Sequence, residues 1–143
     1  MLEYVLEFRV RFGETDAAGI VFYPNYYKWM DEGTHALMEK AGFPTRRLLN
    51  ERAGFPLVEA LCRFRRPLSF GERIRLVSRV EEVRNKSIRV SHMFYRNDEL
   101  VAEGYEVRAY IRGIGGQIAS EPIPDELRRA LMGEGGGVRG AGE

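Results

Sequence analysis

The sequence predicts an α+β domain in which five antiparallel strands are covered on one face by a single long helix. Three observations carry that expectation. Residues 24–41 place apolar side chains at helical spacing over about five turns. Four stretches between residues 57 and 112 alternate apolar and polar side chains and are separated by short polar turns. A further strand-like stretch precedes the helix, so the order is one strand, one helix, then four strands in a row. Consecutive strands joined by tight turns must pair antiparallel.

Taken in order, Leu2 to Phe12 alternates loosely and is rich in Val, Tyr and Phe, so it reads as the first strand. Gly13 to Tyr23 is an irregular loop. Pro24 suits the first helical position, where the missing N–H is no loss. Tyr26, Trp29, Met30, Gly33, Leu37 and Ala41 then recur along one helical face, and Gly42 with Pro44 marks the stop. Thr45 to Ala53 is partly helical. Leu57 to Arg66 turns Val58, Ala60, Cys62 and Phe64 one way. Glu72 to Val83 does so with Ile74, Leu76, Ser78 and Val80, and Lys86 to Arg96 with Ile88, Val90, His92 and Phe94. In Leu100 to Arg112 the apolar phase is Val101, Tyr105, Val107, Ala109 and Ile111. Residues 69–72, 84–85 and 96–99 supply the turns. Residues 124–132 add a short terminal helix. This gives a single domain over 1–132, with a Gly-rich tail over 133–143 expected to be disordered.

The chain has 143 residues, enough for one sizeable core. It carries 22 basic and 21 acidic residues for a net charge of +1, which argues against broad electrostatic capture of nucleic acid or an anionic membrane. One cysteine, Cys62, excludes an intrachain disulfide, and with two histidines it argues against structural zinc. No apolar run spans a bilayer and the N-terminus lacks a signal pattern, so a cytoplasmic setting is expected.

Candidates for chemistry are few. There is no metal-binding histidine pair, no phosphate-cradling glycine loop and no nucleophile elbow. Asp16 remains. It could be a loop aspartate that caps a turn. It could also be a reacting carboxylate, because Gly13 and Gly19 free the backbone around it, and the apolar run Ala17 to Tyr23 is expected to pack. The helix start at Tyr23–Pro24 also offers unpaired N–H groups and a positive dipole end. A carboxylate beside such donors has the parts for acyl transfer. The donors hold a developing oxyanion, and the carboxylate attacks or activates water. An ordinary aspartate, with a pKa of about 3.9, is ionised at neutral pH.

The stretch FGETDAAGIVFYPNYYKWMD, residues 12–31, resembles the signature of the 4-hydroxybenzoyl-CoA thioesterase family, and the similarity extends weakly over residues 4–125. That resemblance implies the hotdog fold, a curved antiparallel sheet wrapped around a long helix, and an acyl-CoA thioesterase that needs no cofactor beyond the coenzyme A of its substrate. It implies that Asp16 is the catalytic carboxylate, that the Tyr23 backbone N–H faces the thioester carbonyl, and that Gly19 shapes the loop between them. The turn EVRNKSIRV, residues 82–90, would bind coenzyme A phosphates through Arg84 and Lys86, with Ser87 as a donor. Asn85 stands where relatives carry another arginine, and Arg89 could compensate. Asp31 matches a position near the acyl pocket.

Other residues read more simply. Arg63, Arg65 and Arg66 suit an edge or interface, Trp29 suits packing, Glu59 suits solvent, and His35 and His92 suit satisfied polar contacts. The family closes its open sheet edges by forming a dimer or a dimer of dimers, with the site at the dimer interface. The acyl group would be aromatic, like hydroxybenzoyl, or short to medium aliphatic. A non-catalytic acyl-CoA sensor is the second reading, although no DNA-binding output segment is evident. Hydration or dehydration of a thioester is the third, disfavoured because the loop before the helix lacks histidine.

Overall fold

A computed structural model describes residues 1–134. All but Gly133 and Glu134 of the expected disordered tail therefore lies outside the described residues. The main sheet contains β1 (Glu3–Arg9), β3 (Leu57–Phe64), β4 (Arg73–Val83), β5 (Ser87–Arg96) and β6 (Glu99–Ala109). They pair antiparallel in the order β1-β4-β5-β6-β3. The long helix α1 (Pro24–Lys40) lies on one face, with α2 (Thr45–Asn50) following it and α3 (Asp125–Leu131) near the chain's end.

A small second sheet escapes the sequence pattern. Residues Ala53–Gly54 (β2), Ile111–Arg112 (β7) and Ala119–Ser120 (β8) form it in the order β2-β7-β8. Each is two residues long, too short for a period of two to register. The expected strand Leu100 to Arg112 is thus divided, since the chain leaves the main sheet at Tyr110.

α1 buries Tyr26, Trp29, Met30, Gly33, Thr34, Leu37 and Met38 against the sheet. Each large apolar side chain among them contributes on the order of 2 kcal/mol of transfer free energy. The sheet meets them with aligned rows. Leu6, Leu76, Phe94, Ala102 and Phe64 form one row across all five strands. Ser78, His92, Gly104 and Cys62 form the next across four.

Two expectations about side-chain direction need correction. On β6 the inward phase is Ala102, Gly104, Glu106 and Arg108, not Tyr105, Val107 and Ala109. A bulge between Phe94 and Tyr95 leaves Val101 buried and resets the alternation. The polar phase can face inward because Glu106 and Arg108 find partners there, as described below. On the edge strand β3, Ala60, Cys62 and Phe64 share the helix-facing side, but Val58 sits at a bulge and is 64% exposed.

The core is split by a polar layer. One apolar cluster holds Trp29, Met30, Leu76 and Phe94. The other holds Leu37, Val80, Val90 and Leu127. Thr34, Ser78 and His92 fall between them on α1, β4 and β5, and all three are buried. α1 can come this close because position 33 is glycine. A Cβ there would overlap the Ser78 hydroxyl and lie 3.3 Å from the His92 ring.

Candidate active site

The loop ahead of α1 is folded by its own hydrogen bonds. A 3-10 turn at Phe12–Glu14 is closed by the Glu14 carboxylate, which accepts from the Arg11 N–H at 2.7 Å. The Asp16 N–H donates to the Ile20 carbonyl at 2.9 Å, and the Gly19 N–H donates to the Asp16 carbonyl at 2.9 Å. That tight reversal needs a positive φ, and Gly19 supplies it at 84°. The Val21 N–H reaches across to the Leu68 carbonyl, and the Phe22 N–H and the Asn25 side chain both donate to the Glu14 carbonyl. Packing contributes less than the sequence suggests. Of the apolar run, Val21 is buried, whereas Ile20, Phe22 and Tyr23 are exposed.

Asp16 caps a local turn and also borders a cleft. Its Oδ1 accepts from the Ala18 N–H at 2.9 Å, an Asx turn that fixes the side chain. The same carboxylate lines a cleft of about 340 Å³. The apolar walls of that cleft are Ile20, Val21, Tyr26, Phe64 and Pro67, and its polar lining is Asp16, Tyr23, Arg65 and Arg66.

The helix start leaves one free donor. Pro24 has no N–H, the Asn25 N–H donates to the Phe22 carbonyl, and the Tyr26 N–H donates to the Tyr23 carbonyl. Among the described residues the Tyr23 N–H has no acceptor. No side chain caps this end of α1, so its dipole is also unopposed. The set of candidate donors read from the sequence narrows to this amide.

Electrostatics separates reactive groups from inert ones. Burial, with Glu103 adding to it, pushes the Cys62 thiol up to about 12, so it stays protonated and is no nucleophile. Burial likewise raises the Tyr26 hydroxyl to about 12 and keeps it neutral, with Cys62 as the next contributor. Arg65 and Arg66 reach the cleft wall and are tied to Glu103 and Glu99 on β6. Their place in the cleft departs from the edge role the sequence suggested. Arg63 lies outside it, on the open face of the sheet.

The remaining candidates are not gathered at this cleft. Arg84, Asn85, Lys86 and Ser87 form the β4–β5 turn, closed by the Arg84 N–H donating to the Ser87 carbonyl at 2.8 Å. The cleft lies near the other end of β4. Eleven strand residues, at about 3.3 Å each, put the two roughly 30 Å or more apart within one chain. Arg84 is paired with Glu82 at 3.0 Å, whereas the Lys86 ammonium has no side-chain partner among the described residues.

Asp31 lies about two turns along α1 from Tyr23. It faces a second cavity of about 340 Å³ with Tyr27, Lys28, Leu57, Glu106 and Arg108. Its Oδ1 accepts from the Arg108 Nη2 at 2.8 Å, and His35 Nε2 lies 3.4 Å from its Oδ2. Trp29 is core, packed against Phe8, Tyr26 and Phe94. Glu59 accepts from the Tyr105 hydroxyl on the exposed side.

The satisfied polar contact expected at His92 belongs to a buried polar chain that the sequence reading did not find. Ser78 Oγ and His92 Nδ1 are 2.7 Å apart, and His92 Nε2 lies 3.3 Å from the Glu106 carboxylate. Thr34 donates its hydroxyl to that carboxylate, and Arg108 grips it through Nε and Nη2 at 3.0 Å each. The signal was present, since Ser78 and His92 stand in otherwise apolar strips of adjacent strands.

A family model described as "Thioesterase-like superfamily" matches residues 10–131. The chain is 29% identical over 124 residues to the 4-hydroxybenzoyl-CoA thioesterase of Pseudomonas sp. (strain CBS-3), covering 81% of this chain and 88% of that one. It is 25% identical over 134 residues to a 1,4-dihydroxy-2-naphthoyl-CoA hydrolase of Synechococcus elongatus, covering 92% and 97%. Among solved structures, a gentisyl-coenzyme A thioesterase superposes with a TM-score of 0.79 at 43% identity, covering 90% of this chain and 99% of that one. The Pseudomonas 4-hydroxybenzoyl CoA thioesterase superposes with a TM-score of 0.82 at 25% identity, covering 91% and 99%.

Proposed function

The chain belongs to the thioesterase-like superfamily, with a hotdog fold and acyl-CoA thioesterase activity, and we propose that it hydrolyses a hydroxylated aromatic acyl-CoA through Asp16. The observation that carries this is the pairing, on one cleft, of the Asp16 carboxylate with the acceptor-free Tyr23 N–H at the uncapped start of α1. The Tyr23 amide and the helix dipole polarise the thioester carbonyl and stabilise the oxyanion. Asp16 then either adds to the carbonyl carbon, expelling coenzyme A thiolate to leave a mixed anhydride for water to cleave, or takes a proton from the attacking water. Gly19 keeps the carboxylate aimed by closing the loop. Single-turnover hydrolysis in heavy-oxygen water separates the two routes, because only the first puts label into Asp16.

The aromatic acyl preference is supported by the relatives, whose names specify hydroxybenzoyl, dihydroxynaphthoyl and gentisyl esters. Asp31 contributes to the acyl pocket from the second cavity. Arg84, Lys86 and Ser87, with Asn85, hold the phosphates of coenzyme A. Because that turn and the cleft stand at opposite ends of one sheet, the phosphate contacts come from a second copy of the chain in a homo-oligomer. The test is Asp16→Asn, which preserves size and the acceptor for Ala18. Thiol release should fall by about a hundredfold or more, while coenzyme A binding by calorimetry persists. Hydrolysis at the unaltered rate would remove Asp16 from the reaction.

A further inference from the structure

We infer that Arg108 is a positioning residue: it fixes the orientation of the Asp31 carboxylate on the second cavity and so sets the preference for acyl groups that carry a hydroxyl. The inference rests on the reading of that cavity as the acyl pocket. It concerns Asp31 and Thr34 on α1 and Ser78, His92, Glu106 and Arg108 on the sheet, none of which lines the Asp16 cleft.

Asp31 has two neighbours that can hold it, His35 at 3.4 Å from Oδ2 on the solvent side and Arg108 at 2.8 Å from Oδ1, and without Arg108 it is poorly fixed. It stands on an exposed side of α1 with half of its side chain open to solvent, and two rotatable bonds let it sample several directions. Arg108 removes that freedom because its own guanidinium is immobile. Nε and Nη2 form a two-point bond to Glu106, Nη1 donates to the Phe55 carbonyl at 3.0 Å, and Nη2 also donates to Asp31. A planar fork held at three places presents its remaining donor in one direction.

Glu106 is held in turn, by the Thr34 hydroxyl from α1 and by His92 from β5. His92 is steadied by Ser78 on β4. His92 Nε2 lies 3.3 Å from both the Thr34 hydroxyl and the Glu106 carboxylate, and its Nδ1 lies 2.7 Å from the Ser78 hydroxyl. Every buried polar side-chain atom among the described residues has a partner. The chain of bonds therefore runs without a gap from the middle of the sheet to the cavity wall.

Hydrogen-bonding capacity gives the selectivity its sign. Lys28 and Arg108 balance Asp31 and Glu106 on the cavity lining, so no net charge decides it. Glu106 is buried and saturated, whereas Asp31 is half-exposed. A carboxylate in that position accepts hydrogen bonds. It favours a hydroxyl on the acyl group over a hydrogen that cannot donate.

The experiment compares 4-hydroxybenzoyl-CoA with benzoyl-CoA, two esters that differ by one hydroxyl. Arg108→Lys keeps the charge and loses the fork. It should lower kcat/KM for the hydroxylated ester by about tenfold and for the plain ester by less than about twofold. In an Asp31→Asn background the same substitution should leave the ratio of the two esters unchanged. An equal loss on both esters, or additive effects of the two substitutions, overturns the inference. Thermal melts show whether Arg108→Lys is folded. If it is not, Glu106→Gln decides, since it loosens Arg108 and should lower the same ratio, and an unchanged ratio counts against the clamp. The Asp16→Asn result stands apart. Undiminished hydrolysis there defeats the proposed chemistry, whereas loss of activity there with no ester discrimination here defeats the clamp alone.

Discussion

Gly33→Ala puts the layered core to a direct test. A methyl group at position 33 would overlap the Ser78 hydroxyl, sit 3.2 Å from the Ser78 Cβ and 3.3 Å from His92 Cε1. Two effects compete. Alanine is the better helix residue by about 1 kcal/mol in a helix interior. Against that, the Ser78 hydroxyl must rotate away from His92 Nδ1, which breaks a buried bond and leaves a polar atom unpaired at about 1–3 kcal/mol. The remaining crowding shifts α1 off the sheet at about 1–3 kcal/mol more. Cost exceeds gain, for a net destabilisation of about 1–5 kcal/mol centred near 3, equivalent to a fall in Tm of very roughly 10 °C for a chain of this size. Urea unfolding followed by tryptophan fluorescence reads it, since Trp29 sits one turn away on the same buried face. The compensating variant Gly33→Ala with Ser78→Gly should recover part of the loss by removing the atoms that clash. A Gly33→Ala protein as stable as the parent, or more so, would show that helix propensity wins and that the close approach does not govern the fit of helix to sheet.

Two further outcomes follow from the charges. Burial by itself raises the Glu106 carboxyl, but the hydrogen bonds from His92 and Arg108 outweigh it and hold the group down at about 2. A folded value below the ordinary 4.5 means that this stabilisation is full above that pH and is lost as pH falls through about 2. The parent should shed up to about 3 kcal/mol over that window. Glu106→Gln should be weaker at neutral pH and flatter in acid, and parallel urea-stability curves would refute the assignment. At the β4–β5 turn, Lys86→Ala should raise KM for acyl-CoA by about fivefold at low salt with kcat little altered, and the effect should shrink as salt rises. Arg84→Ala should do less, because Glu82 already occupies that guanidinium; equal KM values for parent and Lys86→Ala would remove Lys86 from the phosphate site.

The legible parts of this molecule are those in which one local rule acts alone. Pro24 and Gly42 bracket α1 within a residue of its observed ends, because capping is a property of a few adjacent positions. The strands of β4 and β5 show their inward face in the period-two pattern, since apolar side chains mark it almost without interruption. β6 misleads for the opposite reason. Its apolar residues Tyr105 and Val107 lie on the sheet's outer face, while Glu106 and Arg108 go inward. Only the meeting of four elements makes that arrangement affordable: Thr34, Ser78, His92 and the Phe55 carbonyl must all be in place before two charges can be buried. No window of sequence contains that information.

The same distinction governs the candidate site. Asp16, Gly19 and Tyr23 are neighbours in sequence, so a motif can carry their arrangement, and the cleft takes Asp16 from the loop that Gly19 closes and Tyr23 from the helix end. Arg65 and Arg66 reach that cleft only because β3 returns alongside β6, with the Arg65 N–H held at 2.8 Å by the Val101 carbonyl. An alternating strand and its terminal charges cannot announce which surface they will face. Lys86 extends the argument past the single chain. Strand length sets the distance between its turn and the cleft, so no side-chain movement brings the two together. If both serve one substrate, as proposed, a second copy of the chain has to close the gap, and swapping Lys86→Ala and Asp16→Asn between mixed copies would show it.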